Sequence, residues 1–151
     1  MLRFTTHLVA VLGLGLGLAA SLAHAQATPV GLWKTIDDTT QRERSLVRIT
    51  DSAGVLTGRI EKSLNPDTPI DAVCDKCTDE RKGKPLAGMA IVRNTKQSAS
   101  DPTVWEGGDI TDPDNGKVYK LRLKPQDGGK TLEVRGYIGP FFRNQTWLRV
   151  E

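Results

Sequence analysis

The chain has 151 residues, with 21 lysines and arginines against 18 aspartates and glutamates, and 38% of it is hydrophobic. That length holds one modest core and excludes a large multidomain assembly. The formal charge of +3 comes from cations interspersed with acids, which argues against a nucleic-acid partner.

In chain order, the first 25 residues read as a secretory signal peptide. Met1 to His7 carries one charge, Arg3. Leu8 to Ala20 is an unbroken run of apolar residues and glycine, and Ala23-His24-Ala25 puts small residues at the two positions a signal peptidase reads. The run is shorter than the roughly 20 residues that a membrane span needs. Residues 26–151 are therefore expected to be an exported protein of one domain without a membrane span, most simply in the periplasm and otherwise secreted further. Both histidines, His7 and His24, lie in the leader.

From Val30 onward the pattern has a period of two. Gly31 to Ile36 opens it, followed by Ser45 to Thr50, with Val47 and Ile49 on one face and Arg48 on the other. In Val55 to Lys62, Leu56, Gly58 and Ile60 oppose Thr57, Arg59 and Glu61. Leu86 to Val92 and Thr103 to Thr111 read as the next two strands. In Lys117 to Lys124, Tyr119, Leu121 and Leu123 alternate with Val118, Lys120 and Arg122. In Thr131 to Ile138, Leu132, Val134, Gly136 and Ile138 alternate with Glu133, Arg135 and Tyr137, and Gln145 to Val150 closes the series.

The segments between are turn chemistry. Asp51-Ser52-Ala53-Gly54, Asp112-Pro113-Asp114-Asn115-Gly116 and Pro125-Gln126-Asp127-Gly128-Gly129 supply the residues that tolerate the positive φ of tight antiparallel connections. Asn65 to Lys84 reads as the one long loop and Asn94 to Pro102 as a shorter polar one. About eight sequential antiparallel strands with one apolar face predict an all-β, up-and-down barrel, because closure removes exposed edges. A membrane barrel is excluded by the opposite face. Arg48, Arg59, Lys120, Arg122 and Arg135 would each cost about 2–4 kcal/mol near a bilayer midplane, so the apolar face is the inner one.

Gly31-Leu32-Trp33 begins the first strand and Trp147-Leu148-Arg149-Val150 ends the last. In a closed barrel these strands are neighbours, so Arg149 is placed to cover the Trp33 ring and pack that end of the barrel. This arrangement resembles the lipocalin-like superfamily, in which a late arginine covers a Gly-x-Trp of the first strand. A wider resemblance joins Gly31-Leu32-Trp33-Lys34-Thr35, Cys74-Asp75-Lys76-Cys77, Trp105-Glu106-Gly107-Gly108 with Ile110, and Asp112-Pro113 with Asn115-Gly116-Lys117 and Tyr119. It continues through Val134-Arg135-Gly136-Tyr137-Ile138-Gly139 to Trp147 with Arg149-Val150. In that order the motifs resemble the bacterial family catalogued as domain of unknown function 2147, which is small, exported and lipocalin-like and has no assigned activity. The resemblance implies fold and compartment, and function only by analogy with ligand-carrying barrels.

Few constellations carry chemistry. Cys74 and Cys77 are the only cysteines, and an oxidising compartment favours a local disulfide. Asp71, Asp75 and Asp79 disfavour a lowered thiol pKa, which leaves a redox couple and a metal half-site as the lesser alternatives. Asp109, Asp112, Asp114 and Gly116 suggest a calcium loop, but Leu123 stands at the twelfth position where that loop requires a glutamate, so the segment reads as a turn. With no histidine after the leader there is no Ser-His or Cys-His dyad. The sequence thus predicts no catalytic residues, no metal and no cofactor. The partner it predicts is a small hydrophobic or amphipathic ligand such as a fatty acid, lined by Trp33, Val47, Ile49, Leu56, Ile60, Tyr119, Leu121, Leu123, Leu132, Val134 and Ile138, with Tyr119 as polar anchor at a mouth. The competing expectation is a filled barrel acting as an envelope structural or protein-interaction module, its protein partner unspecified.

Overall fold

Alternating side chains on a pleated chain need a surface to bury one face against, and here the sheet supplies it by closing on itself. The computed structural model describes residues 27–151, so the leader segment lies outside the described residues. Eight strands follow in order: β1 (Gly31–Ile36), β2 (Glu43–Ser52), β3 (Val55–Ser63), β4 (Ala90–Gln97), β5 (Trp105–Asp112), β6 (Lys117–Gln126), β7 (Thr131–Ile138) and β8 (Phe141–Arg149). Each pairs antiparallel with the next and β8 returns to β1, giving a closed up-and-down barrel. The closing seam is short, Trp33 opposite Arg149 and Lys34 opposite Leu148. Among the described residues no helix is long and apolar enough to cross a membrane.

Register brings the inward positions together. Trp33 stands opposite Val47, Val47 opposite Ile60, Leu123 opposite Val134 and Leu132 opposite Trp147. Trp33, Val47, Leu56, Leu123 and Leu132 are completely buried. At about 1.5–3 kcal/mol for each large apolar side chain, this interior is the main source of stability. On the outer face Arg48 pairs with Glu61 and Glu151, and Arg122 and Arg135 share Glu133. Exposed pairs of this kind contribute at most about 1 kcal/mol each. Their orientation matters more, since it leaves the interior to apolar groups.

The largest departures from the sequence reading lie at β4, at the connection before it and at the start of β8. The strand expected at Leu86–Val92 begins at Ala90 and runs to Gln97, into the segment expected as the polar loop Asn94–Pro102. Leu86 and Met89 instead form a turn, in which the Met89 amide donates to the Leu86 carbonyl and the Gly88 amide to that of Ile60, so the long connection spans residues 64–89 and not only Asn65–Lys84. Asn94 takes a φ of 55°, a bulge that breaks the alternation and turns Thr95 into the interior. The last strand starts at Phe141, before the expected Gln145. Its eight-residue pairing with β7 includes Ile138 opposite Phe141, although Phe141 and Phe142 are 75% and 59% exposed. Alternation is silent there because the β7–β8 hairpin projects beyond the core.

Candidate ligand site at the open end of the barrel

The two ends of the barrel differ in how the chain closes them. At one end Trp33 is wholly buried, its indole N–H donates to the Pro29 carbonyl at 2.7 Å, and the Arg149 guanidinium lies 4.2 Å from its ring. Arg149 also donates to the carbonyls of Val30 at 2.8 Å, Thr28 at 2.6 Å and Gly129. Burial lowers the pKa of this guanidinium, which has carbonyl dipoles and a ring face around it in place of a carboxylate. That end is sealed.

At the other end the connections β1–β2, β3–β4, β5–β6 and β7–β8 surround an opening. Beneath it lies a pocket of about 120 Å³ whose walls include Ile60, Ile91, Ile110 and Trp147 with Thr35, Ser45, Thr111 and Gln145. A second recess of about 50 Å³ shares Ile110, Asp112 and Gln145 with it and adds Tyr119, Val134 and Arg143. The Gln145 side-chain carbonyl accepts from the Trp147 indole at 3.1 Å, which leaves its amide group as a donor. Tyr119 accepts at its hydroxyl from Asn115 at 3.1 Å and keeps its own proton to donate. The Thr111 hydroxyl is buried and has no hydrogen-bond partner among the described residues, a condition that costs about 1–3 kcal/mol unless something fills it.

Charge rims this opening. Arg44, from β2, reaches Asp37 at 3.8 Å, Asp112 at 3.6 Å and Asp114, and so ties the β1–β2 connection to the β5–β6 turn. Arg143, from β8, clasps Asp38 beside the short seam. The Arg143 hydrogen bond holds the Asp38 carboxyl below its ordinary pKa, and the Thr40 backbone N–H does the same for Asp37. Asp112 also caps its own turn, accepting from the Asp114 amide and the Asn115 side chain. These carboxylates are therefore occupied by arginines and amides, and among the described residues no group of three or more His, Cys, Asp or Glu is arranged to hold a metal.

The long connection forms one wall through Asn65, Thr68 and Leu86. Cys74 and Cys77 are joined in a disulfide with Cα atoms 5.5 Å apart, and both are buried. Asp79, two residues after Cys77, faces an arginine. Its carboxylate is engaged by Arg81, whose side-chain hydrogen bonds hold the Asp79 pKa down to about 2. The disulfide segment docks on the β5–β6 turn at Gly116, where φ is +72° and an added methyl would run into the Lys76 carbonyl.

Residues 31–149 match the family described as "Uncharacterized protein conserved in bacteria (DUF2147)". The chain belongs to this family. Among curated proteins no relative matches. A solved structure titled "Protein HP1028 from the human pathogen Helicobacter pylori belongs to the lipocalin family" is similar at a TM-score of 0.68. Its identity is 15%, over 81% of this chain and 82% of that one. At that identity the likeness concerns the fold, a lipocalin-like barrel.

The eleven side chains expected to line a cavity separate into groups. Trp33, Val47, Ile49, Leu56, Leu121, Leu123 and Leu132 are core and line neither recess. Ile60 lines the larger recess, and Tyr119 and Val134 the smaller. Ile138 projects past the rim and is 44% exposed. Sequence reasoning missed Arg44, Ile110, Thr111, Arg143 and Gln145. Period two counted back from Trp147 would have put Gln145 and Arg143 on the inner face, but polar residues carry no hydrophobic signal to prompt the count.

Proposed function

We propose that the protein is an exported carrier that binds a small amphipathic molecule in the mouth of its barrel and performs no chemistry on it. The observation that carries this reading is the pocket of about 120 Å³ with an apolar wall below and hydrogen-bonding groups around it. Drug-sized ligands occupy sites of roughly 300–1,000 Å³. The ligand is therefore short, or only one end of a longer molecule such as a fatty acid enters. Its polar end is an acceptor, a carbonyl, hydroxyl or carboxylate, because Gln145 and Tyr119 offer donors. The buried disulfide supports an oxidising compartment such as the periplasm. The lack of histidine after His24 supports binding without nucleophilic catalysis.

The filled sealed half of the barrel favours a second reading, an interaction module that acts through its loops. One experiment separates the two. Delipidated protein is titrated with fluorescent amphiphiles of increasing tail length, and molecules that co-purify are weighed by mass spectrometry. Short tails are expected to bind best, and Ile110→Arg is expected to weaken uptake at least about tenfold, or 1.4 kcal/mol, in a folded barrel. No uptake by the folded protein at any tail length would favour the second reading. Leu121→Arg is unsuitable for this test, since it buries a charge in the core and reads out folding instead.

A further inference from the structure

The long β3–β4 connection also folds against the outer wall of the barrel and leaves a groove there of about 380 Å³, which shares no lining residue with the mouth. Period two explains how cations reach it. Arg59 on β3 lies between the inward Gly58 and Ile60, and Arg93 on β4 follows the inward Val92, so both point outward. Arg81 and Lys84 arrive from the connection itself. Arg81 is 6% exposed, chelates Asp79 and donates to the Ala90 carbonyl at 3.1 Å, which anchors the connection to β4. Arg93 pairs with Glu80 at 2.6 Å and with Asp109 at 3.2 Å.

Two cations of the groove are left over. Arg59 makes one hydrogen bond, to the Gly88 carbonyl at 2.9 Å, and has no carboxylate partner among the described residues, and Lys84 has no side-chain partner there. This distinguishes them from Arg44, Arg48, Arg122, Arg135 and Arg143, each of which faces a carboxylate. Four cations thus line one concavity with a single carboxylate, Glu80, and the charges that no carboxylate meets are those of Arg59 and Lys84. A guanidinium with Nε and one terminal nitrogen unengaged matches two oxygens of a phosphate, sulfate or carboxylate in parallel, and an ammonium beside it adds a point charge.

We propose that this outer groove is a second binding site, for a small oxyanion gripped by Arg59 and Lys84, with Arg81 and Arg93 fixing its walls. The test is a titration of the purified protein with inorganic phosphate at constant ionic strength, followed by two-dimensional NMR of backbone and arginine side-chain N–H groups. Saturable shifts are expected at the Arg59 Nε–H and at residues 84–90. The pair Arg59→Gln and Lys84→Gln is expected to weaken them at least tenfold, with the thermal transition unchanged. Arg42→Gln, at an exposed arginine of the β1–β2 connection, is the control and is expected to leave the titration unchanged. Absence of saturation overturns the site, as does equal weakening by Arg42→Gln. Phosphatidylglycerol vesicles are added in a separate arm. Binding to them without any response to free phosphate also overturns it, since the groove would then serve a surface and not a small anion.

Discussion

Replacing Trp147 by alanine is expected to destabilise the barrel by about 3–5 kcal/mol, the usual cost of removing a buried indole. For a domain of this size that lowers the unfolding temperature by about 10–20 °C. Trp147 is 1% exposed, stands opposite Leu132 across the β7–β8 ladder and forms part of the mouth pocket. Its loss removes core contacts and frees the Gln145 side chain from its hydrogen bond. The same pocket grows, so a longer ligand tail is expected to enter the variant at temperatures where it remains folded. Phe141→Ala serves as the contrast, because Phe141 is 75% exposed and its truncation is expected to stay within about 0.5 kcal/mol. Calorimetry of both variants decides the matter, and comparable losses would mean that the core does not lie where the register puts it.

Gly116→Ala is expected to release the disulfide segment while leaving the barrel intact. A φ of +72° costs an L-residue about 1–2 kcal/mol, and the methyl group also meets the Lys76 carbonyl. Together these push the 64–89 connection off the β5–β6 turn. Hydrogen exchange should accelerate at the amides of Cys74, Gly83 and Leu86, which are bonded within that connection, while amides of β6 and β7 keep their protection. Ligand affinity falls too, by about tenfold or 1.4 kcal/mol, because Asn65, Thr68 and Leu86 are displaced from the pocket wall. Gly54→Ala isolates the conformational cost, since Gly54 has a φ of +80° with open space around it. Equal loosening of the connection in both variants would contradict the docking role of Gly116.

The barrel was legible because its strands alternate against a single core. Tyr119, Leu121 and Leu123 announce β6 by spacing alone, and Asp51 to Gly54 announces a hairpin by composition. What escaped the pattern obeys other constraints. Leu86 and Met89 look like strand residues because a loop packed against the core selects the same apolar types as a sheet, with Met89 buried and Leu86 partly so. Thr95 looks external because it is polar, yet it is completely buried and its hydroxyl donates to the Arg93 carbonyl.

The site was less legible than the fold for a related reason. An apolar inner face marks where the chain is packed, and in a barrel this narrow the most apolar positions fill the interior instead of leaving a cavity. Leu56, Leu123 and Leu132 are wholly buried for that reason. Among the described residues two recesses lie near the rim, where inward positions such as Gln145 and Arg143 are polar and the loops contribute to the walls. A search for hydrophobic lining therefore finds the core first.

In the proposed carrier a ligand enters at the open rim while the sealed half stays closed around its own side chains. Chemical-shift mapping of the barrel with a bound short-chain amphiphile locates the ligand. The expected perturbations gather on Ile60, Ile110, Tyr119 and Gln145 and leave Trp33, Ile49, Leu56 and Leu123 unmoved. Perturbations centred on that second group would place the ligand in the packed half of the barrel and rule out binding at the rim.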